Sequence, residues 1–337
     1  MHRIEETDSP VYVGRGAWHR LGTVVPYGTG AREGAEEALP WDVLTQPATY
    51  YNPIECEHRE APGQVVLRRD HADSKVTPLA VVGPTWKPFL NAELIDLGER
   101  LERLGFSLDS VGSHSGGRKV WLLLETGPDA SWEVGGSEHR AYLAVLNAHG
   151  GTSVGDGSAL ALVETDVRVV CANTYAMVDA ETKKRGVRIP HRAGIAAAAD
   201  RIVTIAEESA KGREEYRSAL RALAGKTVGI DFAGLWEGML EPIAPALPAD
   251  KLDPDYAAIQ DSRATFISRS LGALEEIHES PTLDGCRGTA LGVFESFTEW
   301  LDSGRSARGA GQLSRLGFSG PNAVVKSRAL DVAVGAL

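Results

Sequence analysis

Little in this sequence is of a kind that names a chemistry. There is no G-x-x-x-x-G-K-[ST] phosphate loop, no G-x-G-x-x-G string after a strand and no H-E-x-x-H pair, so the commonest nucleotide-binding and zinc-peptidase readings lose their strongest support. The three cysteines, Cys56, Cys171 and Cys286, form no C-x-x-C pair and are odd in number, which fits a reducing compartment better than a secreted disulfide framework. No apolar run approaches the roughly 18 residues a membrane span needs. The stretch Met1-His-Arg-Ile-Glu-Glu6 lacks the apolar core of a signal peptide. The expected location is the cytoplasm.

The composition is 43% apolar and 24% charged over 337 residues, ordinary globular values that make disorder an unsuitable default. A chain of that length suggests about two domains, or one core with appendages. The formal charge of −11 argues against a wholly basic nucleic-acid-coating surface, although it leaves room for a local patch. Two stretches are basic against this background. Residues 181–192 hold Lys183, Lys184, Arg185, Arg188 and Arg192 against Glu181 alone, and residues 301–337 hold five Lys/Arg against Asp302 and Asp331.

Periodicity places the elements. Residues 1–60 read as an irregular segment, with a short helix around Glu33–Ala38 and an extended stretch through Tyr50 and Tyr51. Two short strands, Val65–Arg69 and Pro78–Gly83, precede a helix in which Leu94, Leu97, Leu101 and Leu104 share a face, with Asn91 as its cap and Gly105 at its close. An antiparallel meander follows, with strands Lys119–Glu125, Arg140–Asn147 and Thr165–Cys171 joined by glycine-containing hairpin connections. It runs into a basic helical segment near Glu181 and then a helical pattern from Ala193 to Leu223. Pro242, Pro245, Pro248 and Pro254 mark a linker, and Thr265–Ile277 and Thr289–Leu301 read as helices. The expected class is α+β: an antiparallel meander packed by helices, with a mainly helical C-terminal region. The expected divisions are 1–60, an α+β core over 61–225, a Pro-rich linker over 226–256 and a helical region over 257–337.

Candidate chemistry is sparse. Cys56-Glu57-His58 and the pair His139 and His149 have metal-ligating types without a second half at zinc spacing. Cys171 sits on an apolar strand, where a packed small hydrophobe is the plainer reading. Arg168, flanked by valines, either points to solvent or meets an anion. The Gly150-Gly151-Thr152-Ser153 connection is either a turn or a nest of N–H groups for a phosphate. Clustered cations over 183–192 at a helix approach suit backbone phosphates, or else form a solvated face. Trp121, Tyr142 and Tyr175 are aromatics that either stack on bases or belong to the core.

Five strings occur in order: Trp18-His-Arg-Leu-Gly-Thr23, Gly116-Gly-Arg-Lys-Val-Trp121, Tyr142-Leu143 with Asn147-Ala-His149-Gly150, Arg168-Val-Val-Cys-Ala-Asn-Thr174, and Gly288-Thr289 with Glu299-Trp300-Leu-Asp302. Together they resemble the DUF932 family of phage- and plasmid-borne proteins. One departure is that Gly150 follows His149 where the family pattern has an acid. The family's organisation is in turn similar to Rad52-like single-strand annealing proteins. That resemblance implies an oligomer in a host-cell cytoplasm that binds single-stranded DNA and anneals it without cofactor, metal or catalytic residue. Arg118, Lys119, Arg168, Lys183, Lys184, Arg185, Arg188 and Arg192 are then the phosphate contacts, and Tyr175 a stacking side chain. Two alternatives stay open. One is a phage-encoded protein that binds a host or phage protein partner. The other is a metal-dependent nuclease using Asp109, Glu125, Glu164 or Asp166.

Overall fold

The computed structural model describes residues 10–14, 22–114, 116–127, 131–149, 159–168, 187–191, 210–229, 232–301 and 321–335. Eleven strands and seven α-helices lie among them, arranged as one large mixed sheet, one small antiparallel sheet and a helical cluster. The α+β class and the helical C-terminal region follow directly from this arrangement.

The expected meander forms the centre of the large sheet. β7 (Lys119–Glu125) pairs antiparallel with β9 (Ser137–Ala148), and β9 with β10 (Ala159–Arg168). Along β7, Val120, Leu122 and Leu124 join one buried cluster, while Trp121 and Leu123 join Tyr142 and Ala144 in a second. A strand buried on both faces reads as a nearly continuous apolar run, which Val-Trp-Leu-Leu-Leu is. Trp121 and Tyr142 are therefore core residues, and the base-stacking role open to them in the sequence is withdrawn. β6 (Ser107–His114), β1 (Val11–Val13) and β2 (Thr23–Val25) complete one side of the sheet; β1 and β2 run parallel.

β6 was not legible in the sequence, nor were two further strands. β8 (Ser131–Val134) folds back on β9 through Gly135 and Gly136, whose φ values of +55° and +76° suit the tight hairpin that glycine permits. β11 (Val187–Pro190) pairs with β10 in place of the basic helical segment expected from Glu181. Alternating Val187 and Ile189 favour the pleat, and Pro190 has no N–H for a helix to use. The third strand of the meander also begins six residues earlier than Thr165, at Ala159, and residues 169–171 lie outside the described set.

Residues 1–60, read as irregular, supply β1, β2, helix α1 (Ala31–Ala38) and β3 (Trp41–Asn52). β3, β4 (Glu57–Asp70) and β5 (Val76–Val82) form the small sheet. Helix α2 (Asn91–Glu102) packs with α1 on β6, burying Leu94, Leu97 and Leu101. Its cap position is Leu90, whose N–H donates to Glu93 Oε2 at 2.7 Å. Asn91 instead turns inward and donates from Nδ2 to the Trp41 carbonyl at 2.8 Å.

The helical cluster comprises α3 (Ala210–Gly225), α4 (Phe232–Leu240), α5 (Tyr256–His278), α6 (Ala290–Glu299) and α7 (Pro321–Gly335). α6 is its axle: packed by the other four helices, it buries every residue from Ala290 to Thr298. Side chains from both sides of the Pro-rich stretch 242–254, such as Leu220, Trp236, Leu274 and Phe294, share this cluster. Val134 and Trp132 of β8 join it too, so the β8–β9 hairpin is where sheet and helices meet.

Candidate functional site

One end of the large sheet gathers the features that point to a ligand. Lys119 begins β7 opposite Ala148, and Ala148 is followed by His149, whose backbone N–H donates to the Arg118 carbonyl at 2.8 Å. On β10 and β11, Ala161 faces Leu146 and Arg188, so Arg188 sits two residues along from the Lys119–Ala148 register. Pro190 is followed by His191, whose Nδ1–H donates to the Lys87 carbonyl at 2.8 Å while its own carbonyl accepts from the Lys87 N–H. Arg68 lies over the Trp41 ring at 4.9 Å and beside Gly117, with Asp70 as its ion-pair partner at 2.7 Å. Lys87 and Arg118 are exposed. Arg68, Lys87, Arg118, Lys119 and Arg188 are thereby brought to one strand end.

Beneath these cations lies a buried polar layer. His149 and His191 are 0% and 2% exposed. The Trp41 ring meets His149 edge-on at 5.7 Å, and Trp86 stacks on His191 at 4.9 Å. Asn147, on the same face of β9 as His149, donates to the Phe89 carbonyl at 2.9 Å. Trp86 Nε1, Asn91 Oδ1, Asn147 Oδ1 and both ring nitrogens of His149 have no hydrogen-bond partner among the described residues. Desolvation depresses both imidazoles, His149 to about 3 with the neighbouring His191 adding to the effect. For His191 the carbonyls of Lys87 and Ala148 oppose it. Both rings are neutral near pH 7 and keep the strand end dry beneath its cationic rim.

The depressed values fix a pH response. Below the ordinary imidazole value of 6.5 the unfolded chain takes up protons that folded His149 refuses until about pH 3. Stability is therefore complete above about pH 6.5 and falls as pH drops toward 3, by about 1.4 kcal/mol per pH unit for each such histidine. Urea midpoints measured from pH 7 to 4.5 should decline, and His149→Gln should make that decline shallower; an unchanged slope contradicts this account.

The Gly116-Gly117 pair of the sequence motif has a packing reason. Gly117 has φ +92°, and a Cβ there would meet the Trp41 ring at 3.1 Å and Arg68 Cδ at 3.2 Å. Gly117→Ala is expected to destabilise by roughly 1–3 kcal/mol and to loosen the Arg68–Trp41 stack, read as a red shift of tryptophan emission alongside thermal melting.

Other sequence candidates fall elsewhere. Arg168 pairs with His139 at the far end of β9, nine residues from Ala148 and about 30 Å away at the usual strand rise. Tyr175, Lys183, Lys184, Arg185 and Arg192 lie outside the described residues, as does Cys171. Among the acids, Asp109 on β6 raises the phenol of buried Tyr12, after burial itself, and Glu125 meets Arg140 at 3.8 Å. Glu164 and Asp166 lie on β10 opposite Leu143 and Ala141. No group of three or more His, Cys, Asp or Glu among the described residues is placed to hold a metal ion. The string Gly151-Thr152-Ser153-Val154-Gly155 has the letters of a hydrolase nucleophile elbow and lies outside the described residues. No helix among the described residues is long and apolar enough to cross a membrane.

A second buried polar group, with no signal at the motif level, joins the two halves of the fold. Glu295 of α6 accepts from Ser137 Oγ at 3.0 Å, from His139 Nε2–H at 3.1 Å and from the Cys286 thiol at 3.4 Å. His139 stacks on Trp132 at 4.6 Å, and Arg217 also lies over the Trp132 ring, at 5.0 Å. All of Ser137, His139, Cys286 and Glu295 are buried, so this group holds the hairpin to the helices and is closed to solvent.

A family model described as a domain of unknown function (DUF932) matches residues 78–317, a span that includes both buried polar groups. No curated protein and no solved structure matches.

Proposed function

Because the chain belongs to the DUF932 family, a domain of unknown function, its activity has to be argued from the site, and we propose that it binds single-stranded DNA by the phosphate backbone and anneals complementary strands. The observation that carries this reading is the collection of Arg68, Lys87, Arg118, Lys119 and Arg188 at one strand end. The first four come from the β4–β5 sheet, the loop before α2 and the β6–β7 turn, so folding concentrates charge that the sequence scatters.

Phosphates spaced along a flexible strand are neutralised by such a rim, and each neutralised phosphate releases counterions. Arg188 connects the rim to the basic stretch 183–192, whose other cations lengthen the track in sequence. The resemblance to strand-annealing proteins supplies the annealing part of the reading and its expectation of an oligomer without cofactor. The Trp41 and Trp86 rings are buried against histidines, so recognition at this end is by charge and not by stacking on them.

A labelled oligonucleotide titrated with protein at increasing salt tests the proposal. With four phosphate contacts the logarithm of the binding constant should fall with the logarithm of salt concentration at a slope of about −3. Complementary strands should pair faster with the protein present. Absence of binding at low salt sinks the reading.

A further inference from the structure

We propose that the hairpin arm of residues 47–63 docks on a second copy of this chain, its acidic turn lying against that copy's cationic strand end. Residues 49–51, 53–60 and 62 of the arm are exposed. β5 follows β4 only as far as the Val82–Gln64 pair, and Gln64 faces Pro47. Beyond that register the two strands form a ribbon of five residues on β3 and seven on β4, about 17–20 Å long. Tyr50 and Tyr51 are half exposed on it, and Ile54 at its turn is 91% exposed. A lone two-stranded hairpin is at best marginal in water, and these side chains gain burial only against another surface.

Strand addition is not the mode of cover. The free edges of the arm carry Pro47 on β3 and Pro62 on β4, and the β3–β4 pairing is interrupted between Pro47 and Thr49. Prolines and bulges blunt an edge against further pairing. The faces and turn of the arm are left to make the contact.

Charge selects the occupant. Residues 53–60 hold Glu55, Glu57 and Glu60 against Arg59, which Glu55 engages at 2.7 Å. Such a turn repels a phosphate polymer and attracts cations. The chain itself presents exposed Lys87 and Arg118 at the strand end. With a formal charge of −11, two copies attract one another only where a local patch of the opposite sign is met. An arm-to-strand-end contact is head-to-tail, so it propagates into a ring or a filament. The inference rests on the DNA reading in one respect: arm and single strand then compete for the same cations.

Sedimentation and native mass measurement of the full chain at about 10 μM test it. The wild type is expected as an oligomer, and the arm variant Glu55→Lys, Glu57→Lys, Glu60→Lys as a folded monomer. Mixing that variant with Lys87→Glu, Arg118→Glu should restore assembly, since the charges are exchanged across the contact. A wild type that remains monomeric, an arm variant of unchanged mass, or a mixture that fails to assemble overturns the proposal, as does a chain that gains mass only when oligonucleotide is added. The DNA reading is separately scored: if masses shift as expected while no form binds oligonucleotide, the arm contact stands and the DNA reading falls.

Discussion

Replacing Glu295 by alanine is expected to lower folding stability by roughly 1–3 kcal/mol, the usual loss when buried hydrogen-bonding groups are left without a partner. The carboxylate serves three donors at once, from Ser137, His139 and Cys286, and its loss leaves each of them buried with fewer partners. Glu295→Gln keeps the shape and one acceptor oxygen, so it should lose less. A double-mutant cycle with His139→Phe isolates the pair, and a coupling energy of roughly 0.5–3 kcal/mol is expected for groups in direct contact. Urea unfolding followed by tryptophan emission reads all four chains. An alanine variant within about 0.5 kcal/mol of wild type would show that the carboxylate contributes little to joining the hairpin and the helices.

The combined change Lys87→Ala, Arg118→Ala, Lys119→Ala should weaken oligonucleotide binding about ten- to a hundredfold at low salt and flatten the salt slope by about 2, at roughly 0.7 per lost single-strand contact. Because these side chains sit at the rim and outside the apolar clusters, the melting temperature should change little. Arg168→Ala is the control. The sheet register carries Arg168 to the opposite end of β9, so its removal should leave affinity within about twofold, a surface-scale effect. Equal losses from Arg168→Ala and the rim change would mean that the track runs along the whole strand, contrary to the proposal.

Where a local period existed, the sequence showed the fold. Leu94, Leu97 and Leu101 announced α2, and the continuous apolar run at 119–125 and the alternation at 140–147 announced β7 and β9. β8 escaped because Ser-Trp-Glu-Val is too short to show a period, and only Gly135-Gly136 hinted at a turn. β11 escaped because its charged flank resembles a solvated helix face, although Val187, Ile189 and Pro190 carried the contrary signal. The site was half legible. Arg118, Lys119 and Arg188 were named from charge and motif, whereas Arg68 and Lys87 lie in other elements and are brought in only by tertiary folding. Arg168 looked equivalent to them because sequence proximity to the basic run says nothing about which end of a strand a residue occupies. Glu295 gave a signal that went unread: a carboxylate inside Val293-Phe294-Glu295-Ser296-Phe297, a helix apolar on nearly every side, has nowhere to go but inward.

The Glu295 group also sets an order of events in synthesis. Its bonds to His139 and Ser137 span 156 and 158 residues, so at ordinary elongation rates the hairpin leaves the ribosome roughly 10–30 s before its acceptor exists. During that interval Trp132 and Val134 have no helical cluster to enter, and the exposed hairpin is a surface for chaperones or for premature association. The sheet can assemble from nearer contacts, but the joint between sheet and helices closes only over a very long loop. Native-like docking is therefore a late step, and a stalled or truncated chain ending before α6 would display an apolar, histidine-bearing hairpin that the finished protein hides.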